Sequence, residues 1–173
     1  MGVITEVTEP TEWCAGMVVV PKPSGKVRIC VDLTKLNANV CRERHVLPSV
    51  ETTLAQLGGA KHFAKLDANS GFWQIEMDPE SSKLTTFITP FGRYRFNRLP
   101  FGITSAPEHF QRRMNEILAD MEGAVCLIDD ILIYGKSQSE HDQRLLAVLK
   151  KLNEAGLTLN KEKCVFNTTS INF

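Results

Sequence analysis

Two carboxylates stand side by side at Asp129-Asp130, between the apolar runs Val125-Cys126-Leu127-Ile128 and Ile131-Leu132-Ile133-Tyr134, so a tight hairpin would hold them at a rigid tip. Aspartate is also an ordinary turn residue, and an isolated pair is more often that than a site. A third acid changes the weighing. Asp67 closes the run Phe63-Ala64-Lys65-Leu66, and a neighbouring antiparallel strand would bring it beside the hairpin tip. Three clustered carboxylates repel one another unless cations lie between them. Mg²⁺ suits such a place: it takes one or two carboxylates together with substrate phosphates, and a pair of ions about 3.5–4 Å apart can clamp the attacking and leaving oxygens of a phosphoryl transfer.

The elements that must position these acids are legible along the chain. Met17-Val18-Val19-Val20 stops at Pro21, and Lys22-Pro23-Ser24-Gly25-Lys26 supplies turn chemistry before Val27-Arg28-Ile29-Cys30-Val31-Asp32, which predicts a hairpin with a lysine-rich tip. A short helix is expected from Pro48-Ser49 to Gly58-Gly59, then a strand from His62 to Asp67. Asn69-Ser70-Gly71 breaks that strand, and extended structure is expected again over Trp73–Met77 and over Leu84-Thr85-Thr86-Phe87-Ile88-Thr89, which turns at Pro90-Phe91-Gly92 into Tyr94-Arg95-Phe96. Ser105-Ala106-Pro107-Glu108 reads as a helix start, with Phe110, Met114, Ile117 and Leu118 at helical spacing. After the acidic hairpin, Ser139 to Ala155 predicts an amphipathic helix ended by Gly156, and a last strand runs from Leu157-Thr158-Leu159 towards Cys164-Val165-Phe166. This order fits an antiparallel sheet covered by helices on one face, an α+β arrangement.

Composition narrows the field. With 173 residues, 43 % apolar and 23 % charged, the chain can bury a core and is neither disordered nor fibrous. No apolar run is long enough to span a bilayer, the first residues have no secretory pattern, and cytosolic exposure is the default expectation. The five cysteines lack C-x-x-C spacing, so zinc or redox chemistry is not expected of them. A formal net charge of zero argues against bulk electrostatic coating of nucleic acid, although six basic residues between Lys22 and Arg44, against Asp32 and Glu43, allow a basic face.

Three segments resemble, in order and spacing, consecutive motifs of the reverse transcriptases of gypsy-type long-terminal-repeat retrotransposons: Leu66-Asp67-Ala68-Asn69-Ser70-Gly71-Phe72-Trp73-Gln74-Ile75, Leu99-Pro100-Phe101-Gly102-Ile103-Thr104-Ser105-Ala106-Pro107, and Ile128-Asp129-Asp130-Ile131-Leu132-Ile133-Tyr134. Val27 to Asp32 with Leu36-Asn37 is similar to the family's fingers motif, and the resemblance runs from about Trp13 to the end. It implies a right-hand polymerase with residues 1–43 and 75–105 as fingers and 44–74 and 106–173 as palm, a split β-α-β antiparallel sheet with helices on one face. It also implies RNA-directed and DNA-directed DNA synthesis within a retrotransposon polyprotein. By the same resemblance Asp67 and Asp129 are the principal ligands of two Mg²⁺ ions, for which Mn²⁺ can substitute, with Asp130 completing the acidic cluster and the Ala68 carbonyl a further ligand. The partners are a primed RNA or DNA template and deoxynucleoside triphosphates, and the setting is the cytoplasm, in a virus-like particle.

Arg28, with Lys22 and Lys26, would grip the triphosphate, as cations do in phosphoryl transfer; the two lysines also read as a solvated hairpin tip. Phe72 matches the position where the family sets an aromatic ring under the incoming sugar, although residue type alone would make it core. Phe101 matches a position beside the nucleotide, while Trp13 and Trp73 read as structural. The chain departs from the family at Leu127, where a tyrosine usually precedes the metal hairpin by one residue. It is expected to stop before the turn that grips the primer, without the thumb, connection or ribonuclease H domain. Two rival readings are a nucleic-acid-binding relic without catalysis and an RNA-templated RNA polymerase; a bulky aromatic at Phe72 speaks against the latter.

Overall fold

The computed structural model describes residues 2–21, 25, 27–42, 45 and 47–170. In chain order the elements are β1 (Ile4–Glu6), β2 (Met17–Pro21), β3 (Val27–Val31), α1 (Thr34–Asn37), α2 (Val50–Gln56), β4 (His62–Asp67), a 3₁₀ turn (Gly71–Gln74), α3 (Pro79–Leu84), β5 (Phe87–Thr89), β6 (Gly92–Phe96), α4 (Ala106–Leu118), β7 (Ala124–Leu127), β8 (Asp130–Gly135), α5 (Gln138–Glu154) and β9 (Val165–Thr168). They form two compact units, Met1–Glu43 with Phe72–Pro107, and Arg44–Gly71 with Glu108–Phe173. Phe72, Trp73 and Gln74, and likewise Ala106 and Pro107, expected with the second group of residues, pack in the first unit.

The first unit holds two small antiparallel sheets, β1-β6-β5 and β2-β3. The predicted β2–β3 hairpin is present in full register from Met17 opposite Val31 to Pro21 opposite Val27. Two expected strands are corrected. Gly71–Gln74 is a 3₁₀ turn, and Glu76 makes only an isolated bridge to Arg98. Leu84, Thr85 and Thr86 end a helix rather than begin a strand: Asp78 caps α3 by accepting from the Glu80 and Ser81 amides at 3.0 and 2.9 Å, and Pro79 occupies its first turn. The two threonine hydroxyls then donate back to the Ser82 and Lys83 carbonyls at 2.7 and 2.6 Å, and the Thr85 hydroxyl also accepts from the Phe96 amide of β6 at 3.0 Å, so these β-branched residues are satisfied as the end of a helix.

The second unit is a four-stranded antiparallel sheet in the order β7-β8-β4-β9. Helix α2 starts as predicted, with the Ser49 hydroxyl accepting from the Thr52 amide. On β4, Ala64 and Leu66 are fully buried, and on β8 their partners Ile133 and Ile131 are too; α5 packs on these two strands through Val148 and Leu152. The opposite side of the same strands carries Lys65, Asp67 and Asp130, because side chains alternate along a strand. Helix α4 contributes Phe110, Met114 and Leu118 to the core. The expected strand at Leu157-Thr158-Leu159 reduces to one bridge between Leu159 and Ala68. Asn160 turns the chain there, its side-chain oxygen accepting from the Glu162 amide, and β9 begins only at Val165.

Candidate active site

The acidic hairpin is tighter than its sequence suggests. Leu127 pairs with Asp130, so the two-residue turn is Ile128-Asp129 and Asp130 already belongs to β8, directly opposite Asp67 of β4. Ile128 has φ of 56°, a backbone state normally left to glycine at this place in a hairpin and strained for a β-branched residue. Gln111 of α4 secures it. Its side chain is fully buried, its Oε1 accepts from the Ile128 amide at 2.8 Å, and its Nε2 donates to the Cys126 carbonyl at 2.8 Å and to Asn115 Oδ1. The Cys126 thiol donates to the Ile128 carbonyl at 3.2 Å and stays protonated, because burial and then the nearby Asp129 and Asp130 charges push it up to about 12. Sequence reading missed Gln111, yet a signal was there: it is a polar residue within the apolar stripe shared by Met114 and Leu118.

Ala68 follows Asp67 into the same corner, its amide donating to the Asp129 carbonyl at 3.1 Å. Gly71 leaves room for Asp129: a Cβ at this glycine would lie 2.8 Å from Phe110 Cζ and 3.2 Å from Asp129 Oδ1. The segment after α5 closes over Asp67 from the other side, with the Asn160 amide donating to the Asp67 carbonyl at 2.9 Å. Lys163 brings its Nζ to 3.2 Å from Asp67 Oδ2, and Lys65 brings its Nζ to 2.7 Å from Asp130 Oδ2. Two ammonium groups thus sit on two of the three carboxylates.

Asp129 is the exception. Its Oδ1 is buried without a hydrogen-bond partner, and its carboxyl is held above the usual carboxylate range by burial first, then by the Asp67 and Asp130 charges, with Lys163 pulling the other way. A half-buried carboxylate with an orphaned oxygen beside a second carboxylate is a place for a cation. Among the described residues no three His, Cys, Asp or Glu side chains gather closely enough to hold a metal ion by themselves. The donor set at hand is Asp67 and Asp129, which fits Mg²⁺ completing its shell with water and phosphate oxygens.

The remaining candidates lie in the first unit. Arg28 is exposed on β3 opposite Val20. Lys22 and Lys26 lie outside the described residues. Phe72 is buried and its ring stands 5.0 Å from that of Phe101, which Trp73 also meets edge-on at 5.6 Å. Asn37 fixes the turn that carries Phe101: its side chain donates to the Gly102 carbonyl at 2.8 Å and accepts from the Thr104 amide at 3.0 Å. Two of the sequence motifs, Leu36-Asn37 and Leu99 to Pro107, are therefore bound to each other.

Comparison with known proteins agrees with these motifs. The retrovirus-related Pol polyprotein from transposon opus of Drosophila melanogaster is 41 % identical over 157 residues, 88 % of this chain and 16 % of the relative. The Tf2-3 transposon polyprotein of Schizosaccharomyces pombe is 38 % identical over 156 residues, 89 % of this chain and 12 % of the relative. The chain thus spans no more than about a sixth of the length of these curated relatives. Among solved structures, the foamy viral protease-reverse transcriptase dRH in complex with ds DNA matches with a TM-score of 0.91 at 26 % identity, over 99 % of this chain and 30 % of that one. The foamy viral protease-reverse transcriptase in complex with RNA/DNA hybrid gives 0.86 at 25 %, over 95 % and 22 %. The fold is that of the fingers and palm of these enzymes. The family model for reverse transcriptase (RNA-dependent DNA polymerase) matches residues 20–173 and so takes in the acidic hairpin, the Asp67 strand and the turn of Phe101: this chain belongs to that family.

Proposed function

We propose that the acidic turn is the nucleotidyl-transfer site of a DNA polymerase that copies RNA and DNA templates, within the polyprotein of a gypsy-type retrotransposon acting in the cytoplasm. The observation that carries this reading is Asp129, with its raised carboxyl and orphaned Oδ1 beside Asp67 on a clamped turn. Asp67 and Asp129, with Asp130 completing the acidic cluster and the Ala68 carbonyl as a further donor, would hold divalent cations, which would supply the charge that favours attack of a primer 3′-hydroxyl on the α-phosphate of a deoxynucleoside triphosphate, with the α–β phosphoanhydride bond broken and pyrophosphate released. Lys163 cedes its place on Asp67 when the site is loaded. Arg28 and the lysines at 22 and 26 meet the triphosphate, while Phe72, braced by Phe101, excludes a ribose 2′-hydroxyl. Solved relatives in complex with ds DNA and with RNA/DNA hybrid support a primed template as partner. Further polymerase domains complete the grip on the duplex.

The test is single-nucleotide incorporation on a primed template by a chain that carries this segment together with the rest of a polymerase. Asp67→Asn and Asp129→Asn should each lower the rate by at least about a thousandfold, roughly 4 kcal/mol of lost transition-state stabilisation. Residual activity within tenfold of the parent in either variant removes the assignment.

A further inference from the structure

Asp67 and Asp130 face each other directly across β4 and β8, and like charges in that relation destabilise a strand pair. Lys65 lies two residues before Asp67, hence on the same side of the sheet and diagonal to Asp130. Its Nζ is 2.7 Å from Asp130 Oδ2, and the two side chains are 28 % and 33 % exposed. The backbone around it is fixed, since Ala64 and Leu66 on either side are fully buried. The other ammonium of the site differs: Lys163 is 65 % exposed and follows an irregular segment, so it is free to leave Asp67.

We propose that Lys65 is a positioning residue, the built-in counter-ion of Asp130, which keeps this carboxylate out of the donor pair formed by Asp67 and Asp129. The proposal rests on the metal-site reading above. As an ordinary surface ion pair the contact would add little stability. Its consequence lies in the site: with Asp130 held by Lys65, Asp67 and Asp129 are the two carboxylates left to a cation. The absence of a three-carboxylate cage among the described residues agrees with this division.

The test is the affinity of the 173-residue chain for Mn²⁺ alone, read by electron paramagnetic resonance, with melting temperature measured in parallel. Lys65→Met should tighten Mn²⁺ binding by at least about threefold, because a positive charge beside the site is gone and Asp130 is released into it. Lys65→Arg should keep the parental affinity. Asp130→Asn should weaken binding, since it leaves the lysine uncompensated, and the double variant Lys65→Met/Asp130→Asn, in which a neutral pair replaces the ion pair, should return to within about twofold of the parent. A double variant as weak as Asp130→Asn would show Asp130 to be a direct ligand and overturn the proposal. A lower melting temperature in Lys65→Met with unchanged affinity would make the lysine merely structural and overturn it too. Asp67→Asn is the control: if it does not abolish Mn²⁺ binding, the metal-site reading fails first, and the role given to Lys65 falls with it.

Discussion

The β7–β8 and β2–β3 hairpins are built from the same kinds of side chain, valine, isoleucine and cysteine, yet they sit in opposite environments. In the second unit, Ile131 and Ile133 are 0 % exposed, in a four-stranded sheet backed by α5. In the first unit, Val27 and Ile29 are each 61 % exposed in a sheet of two strands. A two-stranded hairpin has little stability of its own, whereas a central strand is held by its neighbours on both edges. The lesson is that a turn which must hold two carboxylates at a fixed spacing is set in the most constrained part of its unit. Under the proposed function, the strand of Arg28 has only to present a cation to a phosphate, and it can remain near the surface.

Core truncation should break this contrast most strongly. Leu66→Ala, under the acidic strand end, is expected to cost about 2–5 kcal/mol in urea unfolding, and Ile29→Ala no more than roughly 0.5–1 kcal/mol. Equal losses would mean that the exposed hairpin is held as tightly as the site. Gln111→Leu comes next. It leaves the Ile128 amide and the Cys126 carbonyl without their partners, so about 2–4 kcal/mol should be lost, together with metal affinity, because the strained turn loses its clamp. A Gln111→Leu chain with parental stability and Mn²⁺ binding would show that the turn holds itself. The smallest effect concerns the sugar. Phe72→Val in a complete polymerase should lower the ratio of kcat/KM for a deoxynucleotide over its ribonucleotide by about tenfold, roughly 1.4 kcal/mol, while an unchanged ratio would leave Phe72 as core packing against Phe101.

What could be read from sequence was local. The Ser49 cap, the run from His62 to Asp67, the helical spacing from Phe110 to Leu118 and the two apolar runs around Asp129 each carry their own signal, and the elements formed where that signal stands. Helix α3 was hidden because β-branched Thr85 and Thr86 looked like strand residues, while the Asp78-Pro79 start was passed over. The 3₁₀ turn at Gly71 was hidden for another reason: the space that dictates it is bounded by Phe110 and Asp129, some forty and sixty residues away in sequence. Of the site, the acids and their order were legible. Their partners were not, since Lys65, Lys163 and Gln111 meet Asp130, Asp67 and Ile128 only through strand register, a closing loop and a helix face.

The most direct test of the metal pair is the melting temperature of this chain with and without Mn²⁺, for the parent and Asp129→Asn. Because the Asp129 carboxyl titrates above its ordinary value of 3.8, its protonated form contributes stability that is fully present below 3.8 and lost as pH rises through the folded value. At pH 7 without metal, Asp129→Asn should therefore melt higher than the parent, and the gap should shrink as pH falls towards about 4. Mn²⁺ at about a hundred times its Kd should raise the parent by roughly 5–10 °C and leave Asp129→Asn unmoved. An Asp129→Asn chain that melts below the metal-free parent and still gains the full rise with Mn²⁺ would contradict the account.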